Sequence, residues 1–297
     1  MHHTPVLLEE TLDALDQKPG ARFIDGTVGD GGHSAALMER LGGQAEILGI
    51  DLDVKALATA KARLAKWGDK VKLAQGNFRD MREIAAQNGW NGVTGILLDL
   101  GIRSAEIEES GLGFSFRRDE PLVMRFDGGT EPPTAASVVN GYRKDELVQV
   151  LREYGEEPRA LRIAEAIVEA RREKKIMTTG ELVEAIAKAF PPSARHGKIH
   201  FATKVFQALR IEVNDELASE KRAIAEAIDL LVPGGTLAVI SFHSLEDRIV
   251  KNAFRELSRK GLAEVPFKKP KIPSGGEVAL NPRARSAKLR AARRAKI

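Results

Sequence analysis

Three aspartates, each closing a short apolar segment, mark where this chain can do chemistry: Asp25, Asp51 and Asp99. Asp25 opens the run Asp25-Gly26-Thr27-Val28-Gly29-Asp30-Gly31-Gly32-His33-Ser34. Its glycines let the backbone turn tightly and approach a ligand, with a helix beginning at the end of the run. Ser34 stands where a dinucleotide fingerprint has its third glycine, so a tight structural turn explains the run equally well. Asp51 lies twenty-two residues after Gly29, where a carboxylate can accept both hydroxyls of a ribose; Asp53 reads better as a helix cap. Phe78, in Gly76-Asn77-Phe78-Arg79-Asp80, is a flat ring able to lie on an adenine face. The site is acidic and poor in cations, and the chain has no Gly-Lys-Ser/Thr phosphate loop. S-adenosylmethionine (AdoMet) has ribose and adenine but no phosphate, and carries a sulfonium beside an amino group. Asp25, Asp51 and Asp99 therefore favour an AdoMet-dependent methyltransferase over an NAD-dependent dehydrogenase.

The elements that must hold these residues are legible as a rhythm. Arg22–Ile24, Ile47–Ile50, Val71–Leu73, Ile96–Leu98 and Thr236–Ile240 read as strands, several of them continuously apolar as in sheets covered on both faces. Ser34–Leu41, Val54–Trp67 and Met81–Asn88 read as the intervening helices, which predicts an α/β fold with a doubly wound parallel sheet. From Ala105 to Arg210 the strands stop. Leu147, Val150, Leu151 and Tyr154, then Leu161, Ala164, Ile167 and Val168, then Leu182, Ile186 and Phe190 fall at helical spacing. Residues 105–210 are thus expected to be an all-helical insertion serving substrate recognition, within a discontinuous core of residues 1–104 and 211–297. Phe201–Leu231 predicts one or two helices with Asn214 as an N-cap between them, and Pro233-Gly234-Gly235 as the stop before the fifth strand. Asp247–Leu257 predicts a further helix, and 268–282 an irregular or edge segment.

The 297 residues are 43% hydrophobic and 30% charged, as in folded proteins. Cysteine is absent, which removes disulfides, thiolate metal sites and thiolate nucleophiles. The last of these excludes methylation at a pyrimidine C5, which proceeds through a thiolate adduct. No apolar run is long enough for a membrane span, and the N-terminus carries no signal-peptide pattern, so a cytoplasmic protein is expected. The net charge of +4 divides into +11 from Lys251 onward and −7 before it. Clustered cations of this kind suit a polyanion, or a solubilising tail.

Longer motifs carry a resemblance. His3-x-Pro5-Val6-Leu7-Leu8-Glu9-Glu10, the glycine run, Gly113-Phe114-Ser115-Phe116, Phe206-Gln207-Ala208-Leu209-Arg210-Ile211, Ile240-Ser241-Phe242-His243-Ser244-Leu245-Glu246-Asp247-Arg248 and Asn281-Pro282-Arg283-x-Arg285-Ser286-Ala287-Lys288-Leu289-Arg290 together resemble the bacterial ribosomal RNA small subunit methyltransferase H (MraW) family, nearly end to end. The resemblance implies a class I, Rossmann-like AdoMet-dependent methyltransferase core with a helical insertion. It also implies methylation of the exocyclic N4 of a cytidine in 16S rRNA, in the P-site part of the small ribosomal subunit. Cofactor contacts are implied at Gly31, Gly32, His33, Asp51, Phe78, Asp99 and Glu106. Glu106 replaces an amide usual in the family, and Arg103, Val123, Phe201 and Lys204 are further departures.

Asp99 is the expected catalytic acceptor of the amino hydrogens, with His243 as a second candidate for accepting a proton or binding a phosphate, or as a structural, hydrogen-bonded residue. Phe242 can stack on a flipped cytosine. Arg283, Arg285, Lys288, Arg290, Arg293 and Arg294 are expected to contact phosphates, unless part of that run pairs as an edge strand. His196 and His200, four apart, are read as an RNA-facing loop and not as metal ligands; no metal is expected. The oligomeric state stays open, a homodimer included. Two rivals remain: the same core acting on another acceptor, and an assembly-binding factor that keeps the fold and has lost turnover.

Overall fold

The structure is a computed structural model that describes residues 5–101, 110–195 and 200–296. Arg103, Glu106 and His196 lie outside the described residues. The chain divides into two compact units, residues 1–101 with 217–297 and residues 102–216.

The first unit begins with α1 (Leu8–Leu15), β1 (Ala21–Asp25), α2 (Gly32–Arg40), β2 (Ala45–Asp51), α3 (Val54–Leu64), β3 (Val71–Gln75), α4 (Met81–Gln87) and β4 (Val93–Asp99). The second unit follows with α5 (Ala135–Gly141), α6 (Lys144–Glu153), α7 (Ala160–Glu173), α8 (Thr179–Ala187) and α9 (Thr203–Asn214). The chain then returns through α10 (Glu216–Leu230), β5 (Leu231–Ser241), α11 (Ser244–Arg259), β6 (Ala263–Glu264), α12 (Gly275–Leu280) and β7 (Lys288–Arg294). Strand order is β3-β2-β1-β4-β5-β7-β6, with β1 to β5 parallel and β7 antiparallel to both neighbours.

The continuous apolar strands are explained by cover on both faces. Ile96 and Leu98 join one buried cluster with Ile24, Met81, Ile224 and Phe254, whereas Leu97 between them joins another with Phe23, Leu12 and Leu37. Successive side chains thus enter opposite layers. Strand order reverses between β1 and β4, so their carboxyl ends border the crevice where such sheets bind ligands.

Five strands were legible; β6 and α1 were not, and β7 figured only as the edge-strand alternative for part of the basic C-terminal run. Seven residues with four cations do not look like a strand, yet β7 pairs with β5 from Ser241↔Lys288 to Thr236↔Arg293 and buries Leu289, Ala291 and Ala292. It lies inside the sheet rather than at its edge, because β6 covers its far side. Pro233-Gly234-Gly235 does not precede β5. Pairing with β4 jumps from Val93↔Leu231 to Gly95↔Thr236, so the three residues form an irregularity within the strand.

In the second unit the buried faces are Leu147, Val150 and Leu151 on α6, Ala160, Ile163, Ala164 and Ile167 on α7, and Leu182, Ala185 and Ile186 on α8. Leu161 instead faces outward, Ile163 taking the inward position. All of α9 packs into this core through Val205, Phe206, Ala208, Leu209 and Val213. That is why the unit ends at Glu216 and not at Arg210. Asn214 is no N-cap: it ends α9, accepting a hydrogen bond from the Phe126 N–H (2.9 Å) and donating to the Met124 carbonyl (2.7 Å). Val123 is buried beside that loop. Lys204 donates to the Glu156 carbonyl at 2.8 Å. His200 is stacked between Phe116 (4.3 Å) and Phe201 (4.4 Å) and accepts from the Ala202 N–H, an environment that suits a packed neutral ring.

Candidate active site

The glycine run after β1 is shaped by both conformation and packing. Gly29 and Gly31 have φ of 50° and 77°, and a Cβ on Gly32 would lie 2.5 Å from Pro5 Cγ, so larger residues are excluded there. Asp51, ending β2, ties down this run. One carboxylate oxygen accepts the Gly29 N–H (2.9 Å) and the other accepts the Asp53 N–H (2.9 Å). Asp53 itself caps α3 through the Lys55 N–H. Phe78, half-buried in a short 3-10 turn begun by Asn77, lies with its Cβ 3.3 Å from the position a Gly26 Cβ would occupy. The loop is not free of cations, for Arg63 Nη1 comes within 3.3 Å of the Gly32 Cβ position.

Asp25 does not line an open surface. It is 1% exposed, with one oxygen accepting the Ser34 hydroxyl at 2.7 Å and the other without a hydrogen-bond partner among the described residues. Burial pushes its pKa up to about 6, against the hydrogen bonds from Ser34 and Thr27. The unfolded chain ionises at its ordinary, lower value, so Asp25 adds stability at acid pH that is lost as pH rises towards 6. The loss amounts to about 3 kcal/mol across that window. Asp25→Asn should flatten this part of the stability–pH profile, as measured by urea unfolding at pH 4 and pH 7.5. An unchanged difference between the two pH values would contradict the assignment.

Asp99 closes β4 with its N–H donating to Thr27 Oγ1 at 2.7 Å. Its side chain is 25% exposed, and its Oδ1 has no hydrogen-bond partner among the described residues. Burial, then the charges of Asp25 and Glu246, hold its pKa well above the usual carboxylate range. His33, in the first turn of α2, places Nε2 3.2 Å from the Val6 carbonyl and Nδ1 3.7 Å from Asp99 Oδ2. A carbonyl only accepts, so Nε2 carries a proton and donates it to Val6. The structure thus brings Gly31, Gly32, His33, Asp51, Phe78 and Asp99 to the carboxyl ends of β1, β2, β3 and β4.

His243 follows β5 with one ring nitrogen tied to Glu246. It is the N-cap of α11, its Nδ1 accepting the Glu246 N–H (3.3 Å) and its Nε2 lying 3.1 Å from Glu246 Oε1. Nδ1 therefore serves as the cap, whereas Nε2, although near Glu246 Oε1, is buried without a hydrogen-bond partner among the described residues. Glu246 was missed as a site residue. It is 3% exposed, and its Oε2 accepts the N–H groups of Phe242 (2.7 Å) and His243 (3.2 Å). The spacing of a capping box, His243-x-x-Glu246, was the available signal. Phe242, so held, packs on Gly101: a Cβ there would lie 3.0 Å from Phe242 Cδ2, at a φ of 117°. Glu246→Ala should lower stability by roughly 2–4 kcal/mol by orphaning two partly buried N–H groups, and Glu246→Gln, which keeps an acceptor, by about half of that or less. Chemical denaturation measures both; equal losses would mean that the two backbone bonds contribute little.

The basic C-terminal run is largely committed within the fold. Arg290 and Lys288 bind Asp247 at 2.7 and 3.1 Å. Arg294 donates to the carbonyls of Asp229 and Leu231, and Arg293 lies 3.5 Å from Asp16. Arg285 is exposed.

The model of the MraW methylase family matches residues 1–295. A protein of Symbiobacterium thermophilum named ribosomal RNA small subunit methyltransferase H is 47% identical over 98% of this chain and 96% of its own length. Proteins of the same name from Persephonella marina and Heliobacterium mobile are 47% and 44% identical, each over 99% of both chains. This chain belongs to the MraW methylase family.

Proposed function

We propose that this chain transfers the methyl group of AdoMet to the exocyclic N4 of a cytidine in 16S rRNA, within the P-site part of the small ribosomal subunit. The observation that carries this reading is Asp99: a carboxylate one-quarter exposed, with Oδ1 buried and without a hydrogen-bond partner among the described residues, at the point where strand order reverses. The names of the relatives support small-subunit rRNA as the acceptor.

The residues present fit AdoMet. Asp51 is held by two N–H groups that leave further lone pairs for a ribose diol, Phe78 flanks the glycine run for adenine, and the carboxylates of Asp51 and Asp99 outnumber the nearby Arg63. Gly31, Gly32 and His33 would line the middle of the molecule, and Glu106 is added by family resemblance. When bound, AdoMet supplies a methyl group on a sulfonium, a good leaving group. The protein's own task is to aim the acceptor nitrogen and exclude water. The cytosine amino lone pair is delocalised into its ring. Asp99, accepting the amino hydrogens, localises that pair and takes the proton that must leave. Phe242, locked by Glu246 and backed by Gly101, offers a face for the extruded base. His243 positions this turn through its cap. The helical unit contributes substrate recognition.

Calorimetric titration with AdoMet, followed by label transfer from methyl-labelled AdoMet to small subunits from a strain lacking this methylase, tests the reading. AdoMet binding with label in rRNA is expected. Absence of AdoMet binding would favour the assembly-factor rival, and label in peptide or metabolite the other-acceptor rival.

A further inference from the structure

The segment from Val265 to Ser286 crosses the rim of the sheet as a strap. Lys271 and Leu289 exchange two backbone hydrogen bonds (3.0 and 2.9 Å), and Glu277 accepts the Leu7 N–H at 2.8 Å. Leu289 itself pairs with Ile240, and Lys288 with Ser241, the last residue of β5. The strap is therefore fastened at the carboxyl end of β5, one residue from Phe242. Phe267 on the strap and Phe242 pack against the same buried cluster of Phe23, Leu97, Ile240 and Leu289. Lys268, Lys269, Lys271 and Arg285 are all exposed. Among the described residues none of the four forms an ion pair, although Lys271 lies 5.8 Å over the Phe267 ring. Glu277 is the strap's single acidic residue, and its carboxylate is turned onto the Leu7 N–H. Cations left unneutralised along a fastened segment beside a nucleobase site call for a polyanion with regularly spaced charges.

We infer that Lys268, Lys269, Lys271 and Arg285 form a rail for the RNA backbone, neutralising phosphates of the strand that delivers the target nucleotide to Phe242 and Asp99. This rests on the proposed rRNA methylation, and it moves phosphate binding from the internally paired Lys288, Arg290 and Arg294 to the strap.

The test measures binding of the full-length protein to a single-stranded 16S rRNA fragment carrying the P-site cytidine, between 50 and 300 mM KCl, alongside label transfer to small subunits. For the combined variant K268A/K269A/K271A/R285A, the slope of log K against log salt should fall in magnitude by about 3, from about 0.7 for each lost phosphate contact on single strands. The dissociation constant near 150 mM salt should rise at least tenfold, with AdoMet affinity within twofold of wild type. K268R/K269R/K271R should keep the wild-type slope. Single alanine variants, each lowering the slope by about 0.7, serve if the combined variant fails to fold. A wild-type protein that methylates small subunits, with strap variants that keep its slope and affinity, overturns the rail alone. A wild-type protein that neither binds nor methylates rRNA overturns both readings.

Discussion

Asp99→Asn should lower methyl transfer by roughly two to four orders of magnitude, the usual range for loss of a positioned proton acceptor, while the protein still folds and binds AdoMet within about tenfold. The amide keeps the shape of the carboxyl group and the backbone bond from the Asp99 N–H to Thr27. It can accept one amino hydrogen weakly and cannot take the departing proton. The same residue sets a pH dependence. Burial, Asp25 and Glu246 keep Asp99 protonated to a higher pH than an ordinary aspartate, and only its ionised form accepts the amino hydrogens. The rate should therefore rise with pH through this elevated pKa, and the acid limb should vanish in Asp99→Asn. Glu246→Gln removes one of the charges that raise the pKa, so its acid limb should move to lower pH. Single-turnover rates across pH 5–9 give all three profiles. An Asn variant within tenfold of wild type would remove Asp99 from the proton-accepting role.

Asp51→Ala is expected to weaken AdoMet binding about 100-fold. A carboxylate on a ribose diol makes charge-assisted hydrogen bonds worth roughly 1.5–3 kcal/mol each, and about 2.7 kcal/mol corresponds to two orders of magnitude. The substitution also releases the Gly29 N–H, and with it the conformation of the glycine run. Asp53→Ala is the matched control two residues away. It removes the cap on the Lys55 N–H, should cost about 1 kcal/mol of stability, and should change AdoMet affinity less than threefold. Calorimetry on both variants separates a binding role for Asp51 from a general acidic patch; equal effects would mean a patch.

The parallel core was readable because Ile96-Leu97-Leu98 and its counterparts are apolar at every position, a pattern that demands layers on both faces. Asp51 and Asp99 were readable as residues closing such runs. β7 was legible only as an edge-strand alternative because its identity depends on partners: Lys288 and Arg290 are accepted in the sheet through Asp247, 41 and 43 residues earlier in the chain. The same tertiary pairing removed them from the phosphate contacts that composition alone suggested. Asp25 shows the opposite case, where the residue was identified but its depth was not, since burial under Ser34 depends on how α2 sits on the sheet. His243 and Glu246 were both in view within one motif. Which of the two addressed the other became visible only once the turn after β5 was folded.

The most direct measurement is nucleoside analysis of 16S rRNA from small subunits lacking the modification, after incubation with this protein and methyl-labelled AdoMet. Digestion to nucleosides and mass spectrometry should place the label on the N4 of a single cytidine in the P-site part of the decoding centre. Label on a ring carbon, on a ribose or on another base would contradict the proposed chemistry at Asp99.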